Sequence, residues 1–113
     1  MKFLGDGVMF VTTAVDRVFV IAAGITGACE RDDLLPSVRS GISFGEVVTR
    51  DRDYFGATVN RAARLVNVAT PGHVALDVES AGIIGHDRPH TAPRMVDLKG
   101  FDHPVSIVEF PAG

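Results

Sequence analysis

Apolar positions recur along this chain in two rhythms. Val15, Val18, Phe19, Ala22 and Cys29 return at helical spacing, and Val59, Ala62, Ala63 and Val66 follow the i, i+3, i+4, i+7 rule that lines one face of a helix. Elsewhere the apolar residues come in short runs that read as strands. Lys2 to Thr13 forms two such runs about Gly5-Asp6-Gly7, and Val38 to Ser43 with Glu46 to Thr49 forms two more about Phe44-Gly45. His73 to Leu76, Met95 to Leu98 and Val105 to Phe110 complete the set.

Turn chemistry divides these elements. Gly5-Asp6-Gly7 suits a hairpin with Asp6 at its tip, and Thr13 with Asp16 three residues on suits a helix cap. Gly24 and Gly27 fall inside the first predicted helix, where each costs about 1 kcal/mol relative to Ala, so tertiary packing must hold it. The second helix, from about Ala57 to Ala69, stops at Thr70-Pro71-Gly72 because Pro cannot continue it. Gly82 to Pro93, rich in Gly and Pro, reads as a loop. The predicted order is hairpin, helix, hairpin, helix, strand, loop and strand pair. That order gives an α+β sandwich of ferredoxin-like type, a mainly antiparallel sheet with helices on one face.

Composition narrows the class. With 113 residues, 46% hydrophobic and 22% charged, the chain has the makings of one globular domain, residues 1–113, and not of a disordered segment. A net charge of -3 with acids and bases intermixed argues against a nucleic-acid partner or an anionic membrane surface. The apolar stretch from Val18 to Cys29 is bounded by Asp16-Arg17 and Glu30-Arg31, leaving about a dozen residues where a spanning helix needs about twenty. Asp6 likewise interrupts the apolar start, so no signal peptide is read there. A single cysteine, Cys29, leaves no internal disulfide and suits a small core position in a reducing, cytoplasmic setting.

The candidate chemistry gathers between Asp53 and Leu65. Gly56 breaks the strand before the second helix, on which Asn60 and Arg64 stand one turn apart and project from the same wall. Asp53 approaches them from the preceding strand. A carboxylate, an amide and a guanidinium so spaced can hold a nucleoside triphosphate, although the same spacing also suits two solvated residues on an exposed helix face. Asp6, at its hairpin tip, reads by itself as a turn former. Lys99, near a strand end, reads by itself as a solvated surface residue. His86 and His90 have the spacing of a helical metal pair, but Pro89 between them breaks the helix that such a pair requires.

Five segments, in order, resemble the catalytic domain of class III adenylate/guanylate cyclases. They are Lys2-Phe3-Leu4-Gly5-Asp6-Gly7-Val8-Met9, the run from Val38 to Val47, Tyr54-Phe55-Gly56 through Val59-Asn60 to Ala63-Arg64, Pro71-Gly72, and Leu98-Lys99-Gly100-Phe101. The resemblance implies that Lys2 and Asp53 read the purine of ATP, with Asp53 accepting from the exocyclic amine. It implies that Asp6 holds Mg²⁺ or Mn²⁺, two per site in an intact domain, and that Lys99 meets the outer phosphates. Asn60 would position the ribose and Arg64 would neutralise charge growing on the α-phosphate, as ATP closes to 3′,5′-cyclic AMP and pyrophosphate leaves. A second cyclase domain, in a homodimer or heterodimer, would complete the site. The family's first strand, with its other metal Asp, would lie before Met1. On that expectation the chain is a partial catalytic domain, weakly active or inactive alone; the alternative is a catalytically inactive nucleotide-binding or dimerisation module.

Overall fold

The computed structural model describes residues 2–4, 7–9, 15–45, 48–50, 53–84 and 89–111, with the backbone alone for 2–4, 7–9, 15–16, 48–50 and 53–55. Along the chain these residues form β1 (Lys2–Leu4), β2 (Gly7–Met9), α1 (Val15–Arg31), β3 (Ser40–Ile42), β4 (Val48–Arg50) and β5 (Asp53–Phe55). They continue as α2 (Ala57–Val68), β6 (His73–Asp77), α3 (Val78–Ile84), β7 (Arg94–Val96) and β8 (Val105–Pro111). The central sheet has the order β3-β6-β8-β7. It is mixed: β3 runs parallel to β6 with Gly41 opposite Ala75, while β8 runs antiparallel to β6 and to β7. The expected first hairpin is present, β1 pairing with β2 so that Phe3 faces Val8. Its predicted tip, Asp6, and the Thr13 cap lie outside the described residues.

The α+β class stands, with three corrections inside it. Among the described residues the expected hairpin of Val38–Ser43 with Glu46–Thr49 is not formed: β3 pairs with β6, and β4 pairs with β5, placing Thr49 opposite Tyr54. The reason is visible just after β3. The Phe44 N–H donates to Ser80 Oγ at 2.9 Å, and the Phe44 carbonyl accepts from Arg61 Nη2 at 3.2 Å. Backbone groups that a returning strand would use are thereby committed to the helices.

The second correction concerns the layers, because helices cover both faces of the sheet and not one. On the first face Phe19 of α1 and Ala81 of α3 pack with Ile42, Val74, Leu76, Val108 and Phe110. The Phe19 and Phe110 rings meet edge to face, 5.1 Å between centroids at 73°. On the second face Leu65 of α2 and Ala69, its C-cap, pack with Ala75, Ile107 and Leu98. Successive strand residues point to opposite faces, so Val74, Ala75 and Leu76 are all fully buried only because each face has its own helix layer. Their continuous apolar run was the available signal.

The third correction is α3, whose last residues fall where a loop was predicted from Gly82 onward. Asp77 supplies the missing cap: its Oδ2 accepts from the Ser80 N–H at 3.2 Å, satisfying a donor that the first helical turn leaves open. Val78, Ala81 and Ile84 then reach the first-face core. Helix α2 is also rotated from its predicted face, since Thr58, Leu65 and Ala69 are buried and Ala63 is exposed. In α1, Phe19 is buried as expected, whereas Cys29 is only half-buried. Thr26 is the polar anchor of α1: its hydroxyl donates to the Ala22 carbonyl at 2.7 Å and meets Ser40 Oγ, also at 2.7 Å.

Candidate functional site

The site is built where β5 hands over to α2. Gly56 takes φ 120°, a backbone conformation open to glycine and strained for other residues, and its carbonyl accepts from the Asn60 N–H at 3.1 Å to start the helix. Helix α2 then lies unusually close to β3. A methyl group added at Gly41 would come within 2.7 Å of the Ala62 carbonyl oxygen and 2.9 Å of the Val66 nitrogen. One added at Gly45 would collide with Thr58 Oγ1. Both glycines therefore serve close packing of the strand end against α2.

Arg61 locks this junction. Its Nε donates to Ser43 Oγ at 2.6 Å and lies 3.6 Å from Asp77 Oδ1, while Nη2 donates to the Phe44 carbonyl. Ser43 passes its own proton to Asp77 Oδ1 at 3.0 Å, and Ser80, which accepts the Phe44 N–H, does the same at 2.8 Å. Every proton in the ring therefore has one assigned direction, ending on the Asp77 carboxylate. Asp77 is 6% exposed, so the charge it carries is compensated by these donors and by the guanidinium. A second polar joint closes the far end of α2. Glu109, 5% exposed, accepts from the Thr70 N–H and hydroxyl, and Arg94 Nη2 lies 3.7 Å from Glu109 Oε2 while donating to the Val68 carbonyl at 2.9 Å.

Against this frame the predicted residues fall into two groups. Asn60 is exposed and Arg64 half-buried, four residues apart on α2, and among the described residues neither side chain has a hydrogen bond or ion pair. Lys99 is exposed in the turn Leu98-Lys99-Gly100-Phe101, which is closed by Phe101 N–H to Leu98 carbonyl at 3.0 Å and by Gly100 at φ 89°. Asp53 opens β5 opposite Arg50, and Lys2 opens β1 opposite Met9, so their backbones are placed on strands. The side chains of Lys2 and Asp53, and all of Asp6, lie outside the described residues.

Among the described residues no group of three His, Cys, Asp or Glu could hold a metal ion. Of the His86/His90 pair, His86 is outside them, and His90 Nδ1 donates to the Thr91 carbonyl at 2.8 Å. Sequence reasoning missed Arg61, Asp77 and Glu109. A signal existed for Asp77, since Asp-Val-Glu-Ser directly after an apolar strand is a helix-capping pattern. None existed for the partner of Arg61, which is a matter of tertiary placement.

Comparison with known proteins carries these observations to a family. No protein-family model matches the chain. An uncharacterised protein of Mycobacterium tuberculosis is 36% identical over 109 residues, which are 96% of this chain and 29% of that protein. An adenylate cyclase of Glutamicibacter nicotianae is 32% identical over 103 residues, 89% of this chain and 26% of that protein. Among solved structures, an adenylate/guanylate cyclase/hydrolase from Silicibacter pomeroyi aligns with a TM-score of 0.78 at 25% identity, covering 88% of this chain and 62% of that one. The guanylyl cyclase Cya2 shares the fold, with a TM-score of 0.71 over 96% of this chain and 67% of that one.

The fold, a mixed four-stranded sheet with three helices, is that of a nucleotidyl cyclase domain. The chain belongs to the class III adenylate/guanylate cyclase catalytic domains, and it spans 29% of the length of the mycobacterial relative and 26% of the Glutamicibacter one. Among the described residues no helix is long and apolar enough to cross a membrane.

Proposed function

We propose that the chain contributes the nucleotide-gripping part of an adenylate cyclase, which converts ATP to 3′,5′-cyclic AMP and pyrophosphate as one half of a two-domain site. The observation that carries this reading is the Asn60/Arg64 pair: two polar heads one turn apart on a helix, without intramolecular partners among the described residues, beside a junction whose other polar groups are satisfied. Asn60 would hold the ribose so that its 3′-hydroxyl faces the α-phosphate. Arg64 would meet the negative charge that grows on that phosphate as the new ester bond forms and pyrophosphate departs, a role worth most in the transition state.

Lys2 and Asp53 would read the base. Asp53 accepts from the adenine amine, whereas guanine presents a carbonyl there, leaving two acceptors opposed at a cost of about 1 to 3 kcal/mol. Lys99 would contact the outer phosphates, as an exposed cation on a fixed turn can. Asp6 is the carboxylate assigned to Mg²⁺ or Mn²⁺, since hard cations take oxygen donors. When bound, such ions would lower the barrier by bracing the phosphates and activating the hydroxyl. A second cyclase domain is the proposed partner.

Two measurements test the reading. ATP should displace a labelled adenine nucleotide from the chain more effectively than GTP; GTP winning would overturn the purine assignment. Turnover is measured with an intact class III cyclase domain supplied as partner. There, Arg64→Ala should lower kcat about 100-fold or more while weakening ATP binding far less. Equal losses in both would remove Arg64 from the transition state. ATP binding with no product under any metal condition would leave the binding-module alternative standing.

A further inference from the structure

We infer that Arg61 is a positioning residue for the proposed nucleotide site, setting the rotation of α2 and hence where Arg64 and Asn60 point. The inference rests on the reading of Asn60 and Arg64 as nucleotide contacts. On a helix that turns about 100° per residue, Arg61 lies roughly 60° from Arg64 and roughly 40° from Leu65, on the border between the exposed stripe and the buried one. That border decides helix rotation. The buried side of α2 presents Thr58, Leu65 and Val68, and its close seat on Gly41 sets how near the helix lies, but apolar contact is non-directional and leaves rotation to other groups.

Arg61 removes that freedom. Its planar fork spans Ser43 and the Phe44 carbonyl, both just past the end of β3, with Asp77 behind them at the end of β6. Three directions are thus fixed by one side chain that is 24% exposed. Lysine cannot reproduce this, because an ammonium lacks the paired, coplanar donors that reach the hydroxyl and the carbonyl together. The junction also anchors α3 through Ser80, so β3, α2, β6 and α3 meet at a single ring of hydrogen bonds. Arg61 touches no proposed substrate group; it acts through Arg64 and Asn60.

The test uses the 113-residue chain and reads side-chain NMR signals together with ATP affinity. In Arg61→Lys, and independently in Ser43→Ala, the Arg64 Nε–H and Asn60 amide signals should shift. A Ser40→Ala control, which breaks the Thr26 contact on the opposite face, should leave them in place. ATP binding should weaken about tenfold in Arg61→Lys, yet by less than about twofold when Arg64 is already Ala, because residues acting as one unit are not additive. Losses that multiply in the double variant overturn positioning through Arg64. Signals that stay put in both variants overturn the inference whether or not ATP binds. If the wild-type chain binds no ATP, the functional reading fails, and the NMR shifts alone decide whether Arg61 orients the helix.

Discussion

The two faces of the central sheet are held by different forces. The face under α1 and α3 is joined mainly by apolar contact among Phe19, Ile42, Val74, Leu76, Val108 and Phe110. The face under α2 has a smaller apolar patch and is pinned at each end by a buried carboxylate, Asp77 near Arg61 and Glu109 near Arg94. Apolar burial is strong and non-directional, so it can hold a helix down without fixing how it is turned. Hydrogen bonds to charged groups have geometry, and they sit on the face whose helix carries Asn60 and Arg64. The contrast assigns stability mostly to one layer and orientation to the other.

Three substitutions would break or sharpen that contrast, each followed by urea unfolding of the chain. Phe110→Ala should cost the most, about 3 to 5 kcal/mol, because it removes a ring that is 1% exposed and leaves a cavity opposite Phe19. A loss under about 1 kcal/mol would deny the first face its dominant role. Asp77→Ala should cost about 2 to 3 kcal/mol, since the Ser43 and Ser80 hydroxyls and the Ser80 N–H lose their acceptor and the Arg61 guanidinium loses its counter-charge at once. It should also change the Arg64 environment, which Phe110→Ala should not. Glu109→Gln should be mildest, about 1 kcal/mol, because an amide oxygen can still accept from Thr70 while the charge facing Arg94 is gone.

Much of this was legible in the sequence for physical reasons. Helical periodicity and the Gly56 and Pro71-Gly72 breaks located α2 to within a residue at each end, and the Asn60/Arg64 spacing followed from the helical pitch alone. Periodicity says which residues share a face, and it is silent on which strand a strand will pair with. Hence β3 was given to its neighbour in sequence, although its backbone exit is bonded to α2 and α3. The missing helix layer did leave a local trace, since a continuous run such as Val74-Ala75-Leu76 marks a strand covered on both faces, but it does not say which helices supply the cover. Gly82 hid α3, because a glycine read as a breaker stands on an exposed surface where a Cβ would meet nothing within 4 Å. The joints at Arg61 and Glu109 depend on contacts between residues far apart in the chain, which no local pattern encodes.

The close seating of α2 on Gly41 has an evolutionary corollary. Replacement there would drive a Cβ into the backbone of α2, whereas Gly24 and Gly82 have open space around them. Mutational drift should therefore spare position 41 and pass freely through the other two. Selection on how α2 is seated would leave part of its imprint on a residue with no side chain.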